Sequence, residues 1–131
     1  MMAKAPTQQA ITLEELNQKI WQHLEARDWH QNEPRGIAIS LALEANELLE
    51  HYQWGGDPVG GADAVGEELA DVLIYAFQIA QRNNIDIAEH IYNKLEKAAK
   101  KYPAEHFKGK KGKDHSDAWL QHKINYKKEG L

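Results

Sequence analysis

The chain has 131 residues, the size of one domain, with 42% hydrophobic and 27% charged residues, as in an ordinary globular protein. It contains no cysteine, which excludes disulfide scaffolds, thiolate zinc sites and cysteine nucleophiles and suits a reducing compartment. The net charge of −4 conceals a split: residues 1–93 hold 15 acidic and 5 basic side chains, residues 94–131 hold 5 acidic side chains and 11 lysines.

Thr12 and Glu15 have the spacing of a capping box, flanked by Ile11 and Leu16 as its hydrophobic staple. Leu13, Leu16, Ile20 and Leu24 then recur at helical spacing, which predicts a first helix ending near Asp28. A second is expected from Asn32 or Glu33, with Pro34 at a first helical position, through Ile37, Leu41 and Leu48 to just before Gly55-Gly56. The Gly- and Pro-containing stretch 55–61 reads as a connector. The third helix is predicted from an N-cap at Asp63 to Arg82. Its stretch 72–77 is apolar on all sides, the pattern of a central, buried helix. The fourth opens on Asp86 and Glu89, a second pair with capping-box spacing, and runs to about Lys101, before Pro103. Beyond Tyr102, the Lys/Gly-rich stretch 109–113 reads as mobile, followed by a short helix over 117–126.

The expected fold is therefore all-α, a four-helix bundle over residues 12–103, with a flexible N-terminus at 1–11 and a basic C-terminal extension at 104–131. The third helix is too apolar for three neighbours in one chain to cover, which predicts an oligomeric core, in a homodimer or homotetramer. The longest apolar-rich run, residues 69–80, is too short and too polar to cross a bilayer, so no membrane association is expected. Residues 1–9 lack the apolar core of a secretory signal, and a cytoplasmic location is the expectation.

The informative residues are acids inside apolar helices. Glu44 and Glu47 lie three apart on the second helix, Glu68 and Asp71 three apart on the third, so each pair projects from one face. If the helices pack side by side, four carboxylates converge. No Lys or Arg occurs between positions 36 and 81 to neutralise them. Such a cluster calls for protons or bound cations, and all-oxygen ligation suits Mg²⁺ or Mn²⁺. A di-iron bundle is the rival, but none of the seven histidines has an acid three positions before it. Solvated helix faces are the plain alternative, opposed by Asp71 within Leu69-Ala70-Asp71-Val72-Leu73.

The segments Glu44-Ala-Asn-Glu47 with Gln53-Trp54, Glu67-Glu68-Leu-Ala-Asp71 with Tyr75, then Lys94 and Lys101-Tyr102-Pro103, resemble the MazG-like, all-α nucleotide pyrophosphohydrolases. The resemblance is closest to the dCTP pyrophosphatase branch and covers roughly residues 12–103. It implies Mg²⁺-dependent cleavage of a nucleoside triphosphate between its α and β phosphates, with Glu44, Glu47, Glu68 and Asp71 as metal ligands and catalytic set. Arg35, Arg82 and Lys94 are expected to steady the phosphates, Trp29, Trp54 and Tyr75 to meet the base, and Tyr102 to join the substrate-binding set. Two positions depart from the dCTP-selective pattern: Ile20 stands for a first-helix histidine, and Ala98 for an asparagine four residues before the Tyr-Pro pair. That loss of polar groups predicts broad base discrimination, reaching modified pyrimidines. A nucleic-acid partner is not expected, although a helical interaction module whose basic end binds nucleic acid or an acidic partner is the alternative to an enzyme.

Overall fold

The capping box forms as its spacing requires. Thr12 N donates to Glu15 Oε2 at 2.8 Å and Glu15 N donates to Thr12 Oγ1 at 3.1 Å, opening helix α1, Leu13–Glu25. These bonds, the Thr12 backbone first, hold the Glu15 carboxyl below its ordinary range. The structure, a computed structural model, describes residues 9–129, so most of the N-terminus expected to be flexible lies outside the described residues.

Helix α1 stops three residues short of the expected Asp28 because the chain turns there. Asp28 takes a left-handed φ of 56°, Trp29 N donates to Leu24 O at 2.9 Å and Asp28 N to Glu25 O at 3.1 Å. This is the Schellman arrangement, with aspartate in the position usually held by glycine. Helix α2, Pro34–Glu50, begins on its proline as expected. Helix α3, Gly61–Arg82, begins two residues before Asp63, whose carboxylate lies in the first turn, at the positive end of the helix dipole. It ends in a second Schellman turn, with Asn84 at φ 53° and Ile85 N donating to Ala80 O at 2.8 Å. Helix α4, Ile87–Lys101, follows directly on Asp86. After a short 3₁₀ turn at Ala104–His106 comes α5, Gly112–Lys128, which starts five residues earlier than expected and is longer. Among the described residues every regular element is helical.

The chain divides into two compact units, one through Ile87 and one from Ala88. In the first, α2 packs along α3 and α1 makes a smaller contact with it. Ile20, Leu24 and Phe77 form the core cluster, with Ile87 against it. The expectation of an all-round buried α3 needs correction: Phe77, Gln78 and Ala80 are buried, but Leu69 and Leu73 are 44% and 53% exposed. Two neighbouring helices cover only part of the circumference of α3, and its remaining apolar side is open within one chain.

In the second unit the rings satisfy one another. Tyr102 stacks on Trp119 at 10° between planes and meets Phe107 edge-on, while His106 Nδ1 and His122 Nε2 are 2.8 Å apart. Lys101 Nζ lies over both Tyr102 and Tyr126, at 5.3 and 5.0 Å. Among the described residues, no helix is long and apolar enough to cross a membrane.

Candidate metal and ligand site

Residues 68, 71, 75, 78 and 82 follow one another at alternating steps of three and four, so they form a single stripe along α3. Ile37, Leu41, Glu44, Leu48 and His51 make the matching stripe on α2, and each of them is buried or half-buried. Packing the stripes together sets Glu44 opposite Glu68 and Asp71. One carboxylate oxygen from each of these three lies within 4.8 Å of the others.

Glu44 is the strained member. Its Oε2 is buried without a hydrogen-bond partner, although a buried acceptor ordinarily has one. Its pKa is raised above the ordinary 4.5, first by burial, then by the charge of Glu47, with further contributions from Asp71, a hydrogen bond to Glu47, and Glu68. Glu47 is the exposed flank of the set. His51 Nε2 lies 3.5 Å from Glu68 Oε1, at the C-terminal end of α2. Gly60 makes room for that imidazole: a Cβ there would stand 2.9 Å from the ring and 2.6 Å from the Cβ of Ala64.

The donor set fits a hard divalent cation. Three carboxylates from two rigid helices supply oxygen only, one oxygen has no partner, and ligands of a Mg²⁺-sized ion sit up to about 4 Å apart, a spacing of the same order as the 4.8 Å within which these oxygens lie. A cation would relieve both the repulsion and the unmet acceptor.

Asp71 also borders a cavity of about 370 Å³ whose other polar and aromatic walls are His23, Trp29, Asn32, Tyr75 and Gln78. The Schellman turn at Asp28 aims Trp29 back along α1, where its ring meets that of His23 at 6.2 Å between centroids. Asp71 and Tyr75 thus wall the hollow from α3, and His23 and Trp29 wall it from α1 and the turn after it. Trp29 and Tyr75, both singled out by the sequence, come together with Asp71. Trp54 does not line this cavity and is 82% exposed. Arg35 is exposed at the start of α2. Arg82, three turns beyond Asp71, donates through Nε to Asn32 O at 3.1 Å. Lys94 and Tyr102 belong to the second unit.

Sequence reasoning missed His23, Asn32 and Gln78. The signal for Gln78 was present, since it continues the spacing of Glu68, Asp71 and Tyr75 by one step. His23 gave none, because only the turn at Asp28 brings it to Trp29.

Two packed helices thus bring three carboxylates together, one of them, Asp71, at the edge of a ring-lined hollow. The comparisons define the class. The model of the MazG-like family matches residues 39–115, and the chain belongs to that family. dCTP pyrophosphatase 1 of Mus musculus is 33% identical over 101 residues, which cover 70% of this chain and 59% of that protein. The Homo sapiens dCTP pyrophosphatase 1 is 33% identical over 102 residues, 71% of this chain and 60% of that one. The chain therefore spans about three fifths of the length of these relatives. A crystal structure of a pyrophosphatase from Archaeoglobus fulgidus matches with a TM-score of 0.59 and 30% identity, over 76% of this chain and 99% of that one. Membership of the family implies a divalent metal, and the acidic triad is suited to hold it.

Proposed function

We propose that the chain is a Mg²⁺-dependent nucleoside triphosphate pyrophosphohydrolase, with Mn²⁺ able to replace Mg²⁺, acting on dCTP or related and modified pyrimidine nucleotides. The observation that carries this reading is the convergence of Glu44, Glu68 and Asp71 within 4.8 Å beside a cavity walled by Trp29 and Tyr75. Glu44, Glu68 and Asp71 would hold the cation. Bound there, a divalent cation would neutralise phosphate charge and lower the pKa of an attacking water. Hydrolysis adds the water oxygen to the α-phosphorus, and the α–β bridging oxygen leaves with the β and γ phosphates as pyrophosphate. Glu47, beside Glu44 but outside the triad, takes the water's proton.

Trp29 stacks on the base and Tyr75 borders it, while Arg35 and Lys94 balance the phosphate charge. Trp54 and Tyr102 complete the substrate-binding set. Residues 12–103 act as the functional helical domain, and 104–131 as a basic extension. The exposed apolar side of α3, with Leu69 and Leu73, together with Leu43 and Leu49 of α2, supports a homodimer or homotetramer whose shared core completes a four-helix bundle. We place the activity in the cytoplasm, in sanitation of the nucleotide pool.

A screen of ribo-, deoxy- and ring-modified triphosphates with Mg²⁺ tests the reading by its products. A monophosphate and pyrophosphate are expected. A diphosphate with inorganic phosphate, or no turnover of any triphosphate, contradicts it.

A further inference from the structure

Among the described residues Gln78 is the one buried polar side chain, 3% exposed, on the same helix as the core residues Phe77 and Ala80. An amide buried there costs stability unless it is hydrogen-bonded, and an apolar residue would fill the space without that cost. Its Nε2 donates to the backbone carbonyl of Trp29 at 3.0 Å, forty-nine residues away in sequence. One turn further along, Arg82 Nε donates to the carbonyl of Asn32 at 3.1 Å. Within the segment, Trp29 N donates to Leu24 O and Asn32 N to Trp29 O. The segment from Trp29 to Asn32 is therefore fixed at both ends to α3 as well as to itself.

The two donors continue the stripe that begins with Glu68 and Asp71. From Glu68 to Arg82 it spans 15 residues, a rise of about 21 Å along the helix. One rigid rod thus carries two carboxylates, one cavity wall and both attachments of the opposite, aromatic wall. We propose that Gln78 and Arg82 are positioning residues: they clamp the 29–32 segment so that the Trp29 ring stands at a set distance from the carboxylates, ready to receive a planar heterocycle. Arg82 accordingly serves the ring end of the site through its Nε. The kinetic consequence rests on the proposed pyrophosphohydrolase reading; the structural consequence does not.

The test uses the full chain labelled with 5-fluorotryptophan, with the Trp29 ¹⁹F line assigned by its loss in Trp29→Phe. Gln78→Leu keeps the volume and removes the donor. Arg82→Leu removes the second donor, and Arg82→Lys retains one. The Trp29 line should shift and broaden in Gln78→Leu and in Arg82→Leu, more so in the double variant, and return toward its wild-type position in Arg82→Lys. The lines of Trp54 and Trp119 should stay in place. In Gln78→Leu, KM for a pyrimidine deoxynucleoside triphosphate should rise about tenfold, as for loss of one ordinary hydrogen bond's ordering, with kcat within about threefold. Affinity for Mn²⁺, read by its EPR signal, should be unchanged. A Trp29 line unmoved in the double variant overturns the clamp, as does a kcat loss with KM constant. A moved line in a protein that releases no pyrophosphate from any triphosphate upholds the clamp and overturns the functional reading.

Discussion

The acids of α2 and α3 and the lysines of α4 and α5 occupy opposite physical situations. Lys94, Lys97 and Lys100 are exposed to solvent, and Lys101 and Lys123 rest over aromatic rings, where a cation is favourably placed. Each of these charges is at ease where it sits. Glu44 is not: it is half-buried, lacks a partner for one oxygen, faces three other carboxylates and has no basic residue on its own helix beyond Arg35. Charge that is well solvated or well paired needs no ligand to explain it. Charge held in an unfavourable arrangement by two rigid helices suits a cation that would relieve it.

Removing charge from the two regions should expose that contrast most strongly. Asp71→Ala or Glu68→Ala is expected to lower pyrophosphate release at least about a hundredfold while the helical circular dichroism spectrum is retained. Lys110→Ala combined with Lys113→Ala should leave the rate within about twofold. Equal losses in both would erase the distinction.

Within the first unit, the rings and the polar tips of the cavity should also part company. Trp29→Ala is expected to raise KM by about 10- to 100-fold for every base, because stacking is indifferent to base identity. His23→Ala should instead alter the ratio of kcat/KM between dCTP and dTTP, by about tenfold, since an imidazole at the cavity wall can read a base edge. Competition assays with paired triphosphates measure both.

The strained carboxylate makes a prediction about pH. The Glu44 pKa is raised in the folded, metal-free protein above the ordinary 4.5 of the unfolded chain, so the folded state binds this proton more tightly. Its contribution favours folding fully below pH 4.5 and is lost as pH rises through the raised folded value. The Mg²⁺-bound protein should behave the other way, losing stability as acid displaces the metal. Thermal melts across pH 4 to 8, about the range of carboxylate and histidine titration, with Mg²⁺ and with EDTA, should therefore show opposite slopes from this site. The smallest effect belongs to a residue remote from this contrast. Thr12→Ala should cost about 1 kcal/mol by loss of the N-cap, seen in urea unfolding, with no change in turnover.

How much of this was legible in the sequence follows from which interactions are local. The capping box of α1, the proline start of α2 and the paired acids are set within a few residues, and all were readable. The longer α5 was not, because the glycines and lysines at 109–113 resemble a linker and conceal a helix that begins on Gly112 at a positive φ. For α3, apolarity on all sides gave the right element and the wrong burial, since hydrophobicity shows that a face needs covering without saying which molecule covers it. The site divides in the same way. Glu44, Glu68 and Asp71 follow from helical spacing, and Gln78 could have been found by extending it. The meeting of His23 with Trp29 depends on a left-handed aspartate, a conformation that this residue type permits but does not announce.

Metal binding by the charge-neutral variant bears most directly on the central claim, that the carboxylates of α2 and α3 are held together for a cation. Mn²⁺ titration followed by EPR, on the wild-type chain and on Glu68→Gln combined with Asp71→Asn, is the measurement. Saturable binding in the wild type is predicted, weakened at least about tenfold in the double variant, whose metal-free form should melt at a higher temperature because like charges have been removed. Equal Mn²⁺ affinity in the two proteins, with an unchanged metal-free melting temperature, would contradict it.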